Sequence, residues 1–111
     1  MEDSILLSIK KLLGIGDDYE YFDKDIIMHI NSVLMILNQL GIGPSAGFFI
    51  TDESTVWDDF ITDVSNLEAI KSYVYMKVRL MFDPPSSSFV INSIENQIKE
   101  LEWRLNVMVE T

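Results

Sequence analysis

Cysteine is absent from this 111-residue chain, which removes disulfides, thiolate nucleophiles and cysteine-based metal sites together. The absence fits a reducing compartment. Histidine occurs once, at His29, so a Ser-His-Asp triad would have to recruit that one ring. With three prolines and five glycines there is no Pro- or Gly-rich linker, and no repeat or low-complexity tract divides the chain. A single domain over residues 1–111 is expected, long enough to bury a core without staples. No apolar run approaches the length needed to cross a bilayer. The N-terminus opens on Glu2-Asp3 instead of a basic region, and Ile5 to Leu13 is interrupted by Ser8, Lys10 and Lys11, so no signal peptide is expected. The chain reads as soluble, with no membrane partner.

Basic charge is also scarce, and unevenly so. Through Asp63 twelve acids face Lys10, Lys11 and Lys24, a balance of −9; from Val64 onward six acids face five bases, a balance of −1, giving −10 overall. Direct nucleic-acid binding is therefore not expected, because phosphate backbones are held by clustered Lys and Arg. The plain reading of this acidity is solubility. A sharper one is an acidic collar facing a basic partner, or a surface that lets DNA slide past.

Catalytic clusters are missing as well. His29 lies beside an apolar stripe with no acidic partner in sight, and the serines fall at caps and turns. Asp17-Asp18-Tyr19-Glu20 lacks calcium-loop spacing and its central glycine. Gly14-Ile15-Gly16 and Gly41-Ile42-Gly43 are not followed by the Lys-Ser/Thr step of a phosphate loop. Glu95, Glu100 and Glu102 do not reproduce the paired acidic motifs of helical pyrophosphohydrolases. Asp58, Asp59 and Asp63 share part of a helical face, a weak metal signal. The chain reads as a non-enzyme, with no cofactor and no metal site.

What is present is helix, punctuated by caps and breakers. The first helix spans Ser4 to Leu13 with Gly14 as its stop, placing Ile5, Ile9, Leu12 and Leu13 inward and Lys10 and Lys11 outward. Asp23 is the expected N-cap of the second, with Phe22 stapling to Ile27 and Ile26, Ile30, Val33, Leu37 and Leu40 on one face up to Gly41. Met28 and Met35 fall on the wet side. Gly41 to Asp52 is irregular, with Phe48-Phe49-Ile50-Thr51 as a short strand or an apolar tuck. Thr55-Val56-Trp57-Asp58 resembles a capping box opening a short helix, and Ser65-Asn66-Leu67-Glu68 a second one opening a helix to Phe82.

That fourth segment is apolar almost all round. Leu67, Ile70, Val74, Val78 and Met81 form its main stripe, extended by Tyr73, Met76 and Leu80, so it is central to a bundle or shared with a neighbour. Asp83-Pro84-Pro85 stops it. Ser86-Ser87-Ser88 caps the last helix, whose inner face is Val90, Ile91, Ile94, Ile98, Leu101, Leu105 and Met108. Glu95 with Lys99, and Glu100 with Arg104, are spaced for ion pairs. Trp103 lies opposite the inner face, with Val107 and Phe89 on its side. A tryptophan there meets another part of the chain or awaits a partner. The fold class is all-α, a small bundle of four to five helices with an irregular crossover between the second and fourth segments. The candidate contact residues are Trp103, Val107, Phe89, Met28 and Met35.

The order of these pieces carries a resemblance. A short helix ends Lys10-Lys11-Leu12-Leu13-Gly14, and Phe22-Asp23-Lys24-Asp25-Ile26-Ile27 leads into a long one. Leu40-Gly41-Ile42-Gly43-Pro44, the turn Trp57-Asp58-Asp59-Phe60, the block Tyr73 to Pro85 and the ending Leu101-Glu102-Trp103-Arg104-Leu105 follow. Over nearly the whole chain this resembles the small head–tail connector (adaptor, or head-completion) proteins of long-tailed bacteriophages and prophages. The resemblance implies a ring, a dodecamer, between the portal protein and a tail or stopper protein. It implies a structural role at the virion head–tail junction, joining head to tail and helping retain packaged DNA, after assembly in the bacterial host cytoplasm. DNA would pass through without specific binding, and no catalytic residue is carried over. The competing reading of the residues is an acidic helical binding module or inhibitor aimed at a basic host or phage protein. It would need one continuous acidic stripe, whereas most of these acids sit in loops.

Overall fold

Ser4 sets where the chain begins to coil. Its Oγ accepts the Leu7 amide at 3.2 Å, satisfying a first-turn donor that has no partner within the helix. The structure is a computed structural model that describes the backbone of residues 4–62 and 64–110 and the side chains of residues 4–62 and 66–107. Asp63, and the inward position expected of Met108, lie outside the described side chains.

Helix α1 (Ile5–Leu13) stops at Gly14, whose φ of +83° is the left-handed cap glycine adopts without penalty; the Ile15 amide then bonds the Lys10 carbonyl at 2.8 Å. Helix α2 (Asp23–Gln39) does not open on Asp23 as a cap. Phe22 holds that position without a side-chain bond, because the Asp23 carboxylate is engaged by Lys10. The short α3 (Trp57–Phe60) is capped one residue later than expected. Asp59, not Asp58, accepts the Val56 amide at 3.2 Å. Thr55 is occupied elsewhere, its carbonyl accepting the Ile5 amide at 3.0 Å beside an isolated antiparallel bridge from Ser4 to Val56.

Helix α4 (Val64–Phe82) already includes Val64, so Ser65 lies inside the helix and not at its cap. Arg79 closes its far end by donating from Nε to the Asp83 carbonyl at 2.7 Å. The Ser87 hydroxyl accepts the Val90 amide and opens α5 (Ser88–Glu110). These five helices account for the architecture, and no strand occurs among the described residues. The fold is all-α, and the Phe48–Thr51 segment is irregular: Ile50 is buried and Phe48 packs half-buried against Phe60, whereas Phe49 and Thr51 are exposed.

The core forms where α1, α2 and α4 meet. Ile5, Ile9, Ile26, Ile30, Val33, Leu37, Ile70, Val74 and Val78 are fully buried, and α4 also carries α5. The all-round apolar character of α4 is thus mostly that of a central helix. Leu34, absent from the expected stripe, is buried too. The crossover is pinned from two sides. Trp57 is buried and donates from Nε1 to the Ser8 hydroxyl at 2.8 Å. Asn31 accepts the Ile50 amide at 2.7 Å and donates to the Ile50 carbonyl at 2.9 Å, giving that buried loop residue the pairing a strand neighbour would supply.

Several expectations about facing are corrected. Leu12 is exposed and Lys10 is fully buried; the inward positions of α1 are Ile5, Leu6, Ile9 and Lys10. Lys10 is tolerated because its ammonium donates to the Tyr19 and Asp17 carbonyls at 2.8 and 3.3 Å and pairs with Asp23 at 2.8 Å. Met81 and Val90, in the last turn of α4 and the first turn of α5, are exposed. Glu100 and Arg104 close their pair at 2.8 Å, whereas Glu95 and Lys99 do not form one.

Candidate assembly surface

Helix α5 packs on α4 through one narrow face. Among its described side chains Ile98 and Leu105 are buried, with Ile91, Ile94 and Leu101 half-buried. Tyr73 crosses the interface and donates its phenol to Glu102 at 2.7 Å. Burial pushes that phenol above its usual pKa, and the carboxylate accepting its hydrogen bond pushes further. Shallow grooves flank the contact. One is lined by Lys77, Leu80, Lys99 and Glu102, the other by Ser72, Met76, Gln97 and Arg104.

The opposite face of α5 is bare. Phe89 is 81 % exposed and Trp103 67 %, with Val107 also exposed. The reason is helical phase: positions 89, 103 and 107 fall about half a turn from Ile98 and Leu105. Met28 and Met35 are 59 % and 57 % exposed on α2, for the same reason relative to Ile26, Ile30 and Leu37. The five residues therefore form two surfaces. Phe89, Trp103 and Val107 share one helix face, and Met28 and Met35 share another.

Sequence reading missed three further exposed aromatics, Tyr19, Tyr21 and Phe49. Tyr21 packs edge-on against Phe22, which meets Phe82 edge-on at 5.2 Å. The alternation of tyrosine with Asp18 and Glu20 was the available signal. His29 is half-buried, its ring meeting Phe82 at 6.4 Å. Asp58 and Asp59 are exposed, Asp59 being engaged as a cap. Among the described residues no three His, Asp or Glu side chains gather closely enough to hold a metal ion, and no helix is long and apolar enough to cross a membrane.

An arrangement with bare apolar faces on α2 and α5 is suited to contact with other proteins. The family model of the phage connector protein matches residues 5–111. The chain belongs to that family. The connector is thus a structural protein of the phage head–tail connection, located at the virion head–tail junction and in contact with other head or tail proteins. No curated protein and no solved structure matches it.

Proposed function

We propose that this connector forms a ring, a dodecamer, between the portal protein and a tail or stopper protein, joining head to tail and helping retain the packaged genome. Subunits fold in the bacterial host cytoplasm and assemble onto the filled head. The observation that carries this reading is the bare outer face of α5, on a helix that, among the described residues, is covered from one side. Covering a large apolar side chain yields roughly 1.5–3 kcal/mol, so Phe89, Trp103, Met28 and Met35 together provide a substantial drive toward a partner. Identical subunits in a ring meet through two different patches on each copy, and the bare faces of α2 and α5 are two such patches. The acidic first half suits a conduit wall, since like charge keeps DNA passing through it from adhering.

Trp103→Asp tests the reading. The variant is expected to remain helical by circular dichroism and to be absent from completed, tailed particles. Loss of helix would assign Trp103 to the subunit's own stability, and normal entry into particles would remove α5 from the contact.

A further inference from the structure

The two bare faces share a spacing. Outward residues of α5 fall at Phe89, Ser93, Asn96, Glu100, Trp103 and Val107, separated by four and three in alternation. Met28, Ser32, Met35 and Gln39 repeat the same alternation on α2. This is the spacing of a seam that packs along another helix. Both seams are nearly free of net charge in a chain of −10. No Asp, Glu, Lys or Arg occurs from Met28 to Gln39, and Glu100, the charged member on α5, is matched by Arg104 at 2.8 Å.

The seams also look away from each other. Helix α4 turns Tyr73, Met76 and Leu80 toward α5, which leaves its Ile70, Val74 and Val78 stripe for α1 and α2. Helices α2 and α5 therefore lie on different sides of α4. A contact of one seam with its own copy closes at a dimer, whereas a contact between different seams on opposite flanks propagates from copy to copy. Their chemistry differs in the matching sense, since flexible methionine sulfur packs favourably at aromatic edges.

Resting on the ring reading above, we propose that the Met28–Ser32–Met35 seam of one copy packs on the Phe89–Trp103 seam of the next. A second copy is the occupant because the two seams are complementary in chemistry and lie where copies of −10 repel each other least.

Absence of native cysteine makes the pairing testable by disulfide trapping. Ser32→Cys and Asn96→Cys each replace an exposed polar residue at the middle of a seam, and the variants are assembled into phage particles and oxidised. The double variant should give a ladder beyond dimers on a non-reducing gel, the single variants only monomers, and a mixture of the two singles nothing larger than dimers. Cross-linking of either single variant to itself would overturn the pairing in favour of a two-fold contact. A double variant present at many copies per particle, yet uncross-linked, would overturn the pairing and leave the ring intact, provided that the second pair Gln39→Cys with Ser93→Cys is also silent. One or two copies per particle would end the ring reading and the pairing with it.

Discussion

Replacing Lys10 by methionine should destabilise the connector by about 3 kcal/mol, because the buried ammonium serves three acceptors at once. Its Nζ lies 2.8 Å from the Tyr19 carbonyl, 3.3 Å from the Asp17 carbonyl and 2.8 Å from Asp23 Oδ1. Methionine preserves most of the stem, so lost packing contributes little. What remains is a carboxylate oxygen with no other hydrogen bond and two carbonyls without their donor. Breaking a buried ion pair from one side costs about 3–5 kcal/mol. The low end applies because the Asp23 side chain keeps 22 % exposure and recovers part of its hydration. For a domain of this size, about 4 °C of melting temperature accompanies each kcal/mol, so a fall of about 12 °C is expected by far-ultraviolet circular dichroism. The loop from Ile15 to Phe22, which these bonds tie to α1, should become more sensitive to protease. Lys11→Met, at an exposed position next in sequence, is the control and should stay within about 0.5 kcal/mol of the parent. A Lys10→Met protein as stable as that control would refute the assignment of the ammonium as the structural tie.

Gly43→Ala should destabilise by about 1–3 kcal/mol in chemical denaturation, since φ is +88° and an added Cβ would collide with the Phe60 ring. Asn31→Ala should cost about 2 kcal/mol by the same assay, because the Ile50 amide and carbonyl both lose their partner. Tyr73→Phe should flatten the alkaline limb of the stability curve. The folded phenol has a pKa above its unfolded value, so its contribution is whole below pH of about 10 and is lost as pH rises from there toward the folded pKa; a parent-like alkaline fall in the variant would count against the Glu102 bond.

Much of the fold was legible because its signals are local. Ser4 and Gly14 bound α1, Asp83-Pro84-Pro85 ends α4, and the phase of Ile98 and Leu105 against Trp103 separates the two sides of α5. Lys10 was not legible, because a lysine beside an apolar stripe reads as solvated and two of its acceptors are backbone carbonyls, which no side-chain pattern announces. Asn31 failed for a related reason: an asparagine clamping a loop and one facing water look alike until the loop is placed. The cap of α3 slipped by one residue because Thr55 was already tied to Ile5 across the chain. Met81 and Val90 have inward phase, but phase says nothing about whether a neighbour reaches that turn. The candidate contact surface was visible through that same phase, whereas Tyr21 and Phe49, being in loops, have no period to reveal their exposure.

The distribution of burial and the distribution of charge lead to the same two faces independently. Helix α4 spends its circumference on α1, α2 and α5, so the subunit's cooperative core is complete without the outer side of α5. That helix, roughly 35 Å long at 1.5 Å per residue, is held among its described residues by the buried Ile98 and Leu105, the half-buried Ile91, Ile94 and Leu101, and the Tyr73–Glu102 bond. A segment held so lightly gains most from added cover. Copies that each carry −10 repel through their acidic loops, and this repulsion is largely screened only beyond about 8 Å at physiological salt. Close contact is therefore cheapest where net charge is absent, along Met28 to Gln39 and along the outer side of α5. Those stretches also hold the exposed Met28, Met35, Phe89 and Trp103, so attraction and the relief of repulsion act at the same places.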